Sequence, residues 1–124
     1  MNDVELRAVE LLEQTAKVLE RDGWTARWLE DPGSGRRCVM GGMLAAAGRP
    51  PELTPGVLWA KADSIARTAV IALATVVDPD NSPGLSDWNR VASWNNRVGR
   101  TEEQVLDAVR VASMALCNEA EVAT

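Results

Sequence analysis

Cys38-Val-Met-Gly-Gly-Met-Leu-Ala-Ala-Ala47 carries no charge, and Gly48 follows it. The stretch is too long for a typical buried strand and lacks the alternation of a half-exposed one, so it is predicted to be a helix. A helix that is apolar all round lies inside its fold. Gly41 and Gly42 each weaken a helix interior by about 1 kcal/mol relative to Ala. That loss is expected to be offset by the close approach of another helix, within one chain or across a dimer. The fold is therefore expected to be built around this segment.

On the N-terminal side, Val4, Ala8, Leu11, Leu12, Thr15, Ala16, Val18 and Leu19 recur at spacings of three and four. This is one face of a helix running from Asp3 to about Asp22, capped by Asn2 or Asp3 and stopped by Gly23. Between the two helices, residues 24–39 contain the turn signal Asp31-Pro32-Gly33. The flanks form either a small hairpin or a long loop pinned by Trp24 and Trp28.

On the C-terminal side, Pro50-Pro51 and Pro55-Gly56 break the chain. A second long pattern follows, Val57 to Val77, and the Pro-containing segment Asp78 to Gly84 ends it. A short helix is predicted from Leu85 to about Asn96, with Ser86 as its cap. Thr101 and Gln104 make a capping box for a last helix to about Asn118, leaving a frayed tail at about 119–124. The prediction is an all-α fold: residues 1–124 as one small bundle of four or five helices.

The 124 residues include five Trp, no Phe, no Tyr and no His. Without His, a Ser-His-Asp triad, a Cys-His pair and a His-containing zinc site cannot be built from this chain, which argues against an enzyme. The net charge of −5 disfavours nucleic acid as a partner. The charge is uneven: residues 32–67 are net basic, and acids prevail on both sides. Residues 1–22 lack a secretory signal pattern, and the longest apolar run, Thr68 to Val77, is too short to span a membrane. With Cys38 and Cys117 read as thiols, a cytoplasmic location is expected.

Several positions have the chemistry to bind. Cys38 sits after Arg36 and Arg37 at a predicted helix start, where dipole and arginines would favour a thiolate; the competing reading is a buried structural thiol. Gly33-Ser34-Gly35-Arg36-Arg37 resembles an anion cradle but lacks a P-loop's Gly-Lys-Ser/Thr, so a surface turn is the plainer account. Asp78 to Gly84 resembles the start of a calcium loop, with Pro83 where Gly is needed and Asn89 where Glu is needed. No metal site or cofactor is expected. Trp24 and Trp94 are candidates to anchor a partner or stack on a ring, Trp94 above all. Asn95 and Asn96 are candidates either to bind a ligand or to cap their helix.

Trp24-Thr25, the Cys38 segment ending Ala46-Ala47-Gly48, and Trp94-Asn95-Asn96 running through Gly99-Arg100-Thr101 to Val105-Leu106 occur together. In this the chain resembles a family of short proteins of unknown function from actinobacteria and their phages. That family's late motif reads Trp-Asn-Asp, a short turn, then Arg-Thr and a helix. Asn96 stands where the motif has Asp, which speaks against a required acid there. The resemblance implies an actinobacterial or phage origin, in keeping with eleven Arg among thirteen basic residues, and transfers no catalytic residue. Two functions stay open. One is a non-catalytic, acidic protein-interaction module, a phage-encoded modulator of a host protein in the host cytoplasm. The other is a small-molecule or nucleotide-binding domain using Arg36, Arg37 and the Trp94-Asn95 region.

Overall fold

Asn2 opens the first helix, α1 (Asp3–Asp22), in a computed structural model that describes residues 2–123, with side chains to 119. The Asn2 Oδ1 accepts from the Glu5 amide, and its Nδ2 donates to the Glu5 carboxylate, so cap and first turn hold each other. The predicted stripe of α1 is buried from Ala8 to Leu19, with Val4 partly exposed, and Gly23, at φ 89°, ends the helix by donating to Leu19 O.

The uncharged segment forms α2 (Val39–Ala46), with Cys38 as its N-cap. Val39 to Leu44 are all buried within the one chain. The two glycines explain how. A Cβ on Gly42 would sit 2.9 Å from Leu19 Cδ2 of α1, the helix contact expected. A Cβ on Gly41 would sit 1.9 Å from Leu29 O. That neighbour is the backbone of the preceding loop, not a helix.

The long pattern expected to run unbroken from Val57 to Val77 divides into α3 (Leu53–Ala62) and α4 (Ser64–Val77). Asp63 makes the break. It is extended, at ψ 123°, with its amide donating to Trp59 O and its Oδ1 accepting from Ala66 N. A short acid side chain that can cap competes with helical backbone, and here the cap prevails. Pro55-Gly56 does not break the chain as expected. Pro55 lies in the first turn of α3, where an amide has no partner to lose. Buried Gly56 lets α3 approach Leu44 and Trp88.

Ser86 caps α5 (Asp87–Asn95), as its position predicted. Thr101 and Gln104 exchange both capping-box hydrogen bonds ahead of α6 (Glu102–Ala123). That helix runs past the expected end at Asn118; Thr124 lies outside the described residues, as do the side chains beyond 119. The architecture is all-α, with six helices among the described residues where the sequence suggested four or five, the division at Asp63 supplying the extra one.

α1 packs against α2, α4 and α6, and α4 also packs against α3, α5 and α6. Leu12, Leu19, Met40, Met43, Leu44, Leu73, Val91, Val105 and Val109 fill the common core. Residues 24–38 form a long loop rather than a hairpin. Its one bridge, Trp24 with Arg37, is parallel, made by Thr25 N to Arg37 O and Arg37 N to Gly23 O. Among the described residues, no helix is long and apolar enough to cross a membrane.

Candidate functional site

Asn95 is the residue around which the predicted candidates gather. It closes α5 and is 1% exposed, although an amide is costly to bury without partners. Its Oδ1 accepts from the Trp24 indole Nε1 at 2.8 Å and from Val39 N at 3.0 Å. Its Nδ2 donates to Asn96 Oδ1 at 3.0 Å, and that oxygen also accepts from Arg27 N at 2.8 Å. One amide thereby joins the loop, the first turn of α2 and the end of α5. Asn96 is the C-cap of α5, as one of its two sequence readings held. Trp24 N donates to Glu102 Oε1, which ties the same loop to α6.

Beside this network lies an open cleft of about 470 Å³, between the loop, α5 and the start of α3. Cys38, Met40 and Trp88 line its interior, and Asn95 and Asn96 its edge. Trp28 and Leu53 stand at its mouth, 52% and 60% exposed. Neither was singled out as a binding residue from the sequence. Their signal was faint: a Trp inside a turn-rich insert, and a Leu directly after two prolines and an acid.

Cys38 sits in this cleft as a buried thiol. Burial pushes its pKa up, against the smaller opposing effect of the Gly41 and Met40 amides. The arginines expected to favour a thiolate are engaged elsewhere or turned outward. Arg37 reaches Asp22 at 3.1 Å and Glu30 at 3.4 Å, and Arg36 is exposed. The Gly33–Arg37 segment is a turn organised by its own acid: Asp31 accepts from Gly33 N and Ser34 Oγ through its carboxylate, and from Gly35 N through its backbone oxygen. The amides that would cradle an anion are used there.

Trp94 is half-buried, with the Arg100 guanidinium 4.1 Å from its ring centroid and Arg100 Nε donating to Trp94 O. The most exposed tryptophan is Trp28, not Trp94. Arg37 and Trp94 therefore do not converge with Asn95 on one pocket. Trp88 belongs to the core, and Trp24, Trp59 and Trp94 are partly buried against that core.

The acidic segment after α4 also has an internal purpose. Asp78 accepts from Ser82 N and Ser82 Oγ, and from Arg90 Nε at 2.9 Å. Arg90, itself buried, also pairs with Asp87 at 2.8 Å and donates to Asp78 O. The Arg90 hydrogen bond, followed by that of Ser82, holds the Asp78 carboxyl below its ordinary pKa. Among the described residues, no cluster of three acid or Cys side chains is placed to hold a metal ion.

Neither the curated proteins nor the solved structures contain a match to this chain. The family model that does match covers residues 3–114, nearly the whole of the helical core just described, and the chain belongs to that family of unknown function, DUF6197.

Proposed function

We propose that this protein is a non-catalytic interaction module that seats an apolar side chain of a protein partner in the cleft between the 24–38 loop and α5. The observation that carries the reading is the pair Trp28 and Leu53, both more than half exposed at the mouth of one cleft. Exposed aromatic anchors beside a preformed apolar pocket are the usual centres of binding energy at interfaces. The pocket is preformed because the Asn95 network fixes one wall and Gly41 lets the loop lie directly on α2. The net charge of −5 favours a partner with a basic rim, chiefly through the rate of encounter. With the resemblance to actinobacterial and phage proteins, this extends to a modulator of a host protein, working in the host cytoplasm.

The alternative of a small-molecule or nucleotide site built from Arg36, Arg37 and Trp94 draws less support. Arg37 is paired with acids, and Trp94 is covered by Arg100.

The test is a capture experiment from a host lysate with wild type, Trp28→Ala, Leu53→Ala and the remote exposed control Val98→Ala, all checked for helicity. A specific protein retained by wild type and Val98→Ala, and lost by the two cleft variants, supports the reading. Equal capture by all four removes it.

A further inference from the structure

A second cleft, of about 320 Å³, lies on another side of α5, enclosed by α3, α4 and α5. Ala60, Val70 and Trp88 give it an apolar floor. Lys61 of α3 and Arg67 of α4 stand at its edge, both exposed. Elsewhere in this acidic protein Arg37 and Arg90 are each held by two carboxylates. Among the described residues, neither Lys61 nor Arg67 lies within ion-pair distance of a carboxylate. Asp63, one turn before Arg67, spends its Oδ1 on Ala66 N. Asp87, the acid in the cleft lining, is held by Arg90 at 2.8 Å. Ser86, also in the lining, accepts from Asn89 N through its Oγ, and that bond does not use its O–H.

We propose that this cleft binds a small amphipathic anion: a ring-sized apolar body on the Val70–Trp88 floor, with a carboxylate or phosphate between Lys61 and Arg67. The size fits, since an apolar cavity of ~150 Å³ already admits benzene. Two cations carried on different helices, with no acid of their own, match the charge of such a head group. Their placement beside an apolar floor demands that charge and body belong to one molecule. A free inorganic anion would leave the floor wet, and a neutral ring would leave both cations without a partner.

The probes are 1-naphthyl phosphate, 1-naphthoate and the neutral 1-naphthalenemethanol, titrated by calorimetry and by amide NMR. Trp88 walls both clefts, so Val70 and Ser86 serve as reporters for this one. At least one of the two anions should bind and move the Val70 and Ser86 resonances, and their relative affinities identify the preferred head group. The neutral probe should bind at least about 10-fold more weakly, as should the better anion to the Lys61→Gln/Arg67→Gln variant. Both substitutions are at exposed positions and leave the core untouched. Trp28→Ala should bind the anion like wild type, which separates this site from the partner cleft. Equal binding of anion and neutral probe, unchanged affinity in the double variant, shifts confined to the Trp28 cleft, or no binding of either anion would overturn the proposal.

Discussion

The Trp24 indole donates to Asn95 Oδ1 across 71 residues of sequence, and the same oxygen receives the first amide of α2. A loop, a buried helix and a short surface helix thus share one acceptor. Replacing Asn95 with Leu keeps the volume and removes that acceptor. Two donors then lose their partner, at ~1–3 kcal/mol each where water cannot reach them. Asn95→Leu is expected to lower stability in urea by about 2–4 kcal/mol, and limited proteolysis should cut the 24–38 loop more readily.

Asn96 is a different case, because the bonds it makes within the site use only its oxygen. A carboxylate accepts as well as an amide oxygen does. Asn96→Asp should therefore stay within about 0.5 kcal/mol of wild type, whereas Asn96→Ala should lose about 1 kcal/mol by stranding the Asn95 amide. Urea midpoints of the two variants check this.

Gly41→Ala and Gly42→Ala separate two kinds of crowding. Each gains about 1 kcal/mol of helix propensity. At Gly42 the clash is with the Leu19 side chain, which can give way, so a net loss of ~1–2 kcal/mol is expected. At Gly41 the clash is with Leu29 backbone, held in place by the hydrogen bond that Cys38 N donates to Trp28 O. Gly41→Ala should cost at least ~3 kcal/mol or detach the loop. Thermal melts with loop proteolysis distinguish the two.

The pH dependence follows from Asp22 and Asp78. The Arg21 hydrogen bond, aided by Arg37, holds the Asp22 carboxyl down at about 2, and Asp78 is lowered by Arg90. An unfolded Asp titrates near ~3.9. Both groups therefore contribute their full stability above about pH 4, and lose it as pH falls through their folded values. Tm should drop between about pH 4 and 2. Asp22→Asn and Asp78→Asn should each lower Tm at pH 7 and flatten that slope; an unchanged slope in both would contradict the assignment.

Trp28 and Trp88 differ in depth, and their truncations should differ accordingly. Trp88 is 5% exposed in the core, so Trp88→Ala should cost ~3–5 kcal/mol. Trp28→Ala should change stability by no more than about 0.5 kcal/mol. Denaturant titrations of the two give the contrast.

Cys38 offers a reading of the loop's integrity. Its thiol is buried and its pKa raised, so a neutral-pH thiol reagent should label it slowly in the native state and quickly once the loop is released. Peptide mapping after labelling locates the site, and Gly41→Ala should accelerate it. Rapid labelling in wild type would restore the thiolate reading.

The all-α architecture was legible because its signals are local. The α1 stripe, the uncharged run of α2, the Ser86 cap and the Thr101–Gln104 box each lie within a few residues of the structure they specify. The division at Asp63 was hidden because Leu58, Ala62, Ile65 and Ala66 keep helical spacing across it. Spacing does not register that Asp63 turns its side chain onto Ala66 N and leaves Leu58 and Ala62 exposed. The candidate site was half legible for a related reason. Trp24, Cys38, Asn95 and Asn96 do meet, but Arg37 was claimed by Asp22 and Glu30, and Trp94 by Arg100.

By itself the sequence determined that the fold is all-α, that the uncharged segment of α2 is buried, and that no histidine chemistry is open to this chain, whereas the packing made α1 and α4 the elements the other helices gather on. The first three follow from period, capping and composition, which act over one or two turns. Tertiary structure alone decided which polar groups are spent and which remain. Asp31 uses up the amides of its own turn, Arg90 gathers Asp78 and Asp87, and Lys61 and Arg67 are left without an acid beside an apolar cleft. An ion pair or a buried amide is settled by whatever lies within about 3 Å in space, and for Asn95 those neighbours, Trp24 and Val39, come from distant parts of the chain.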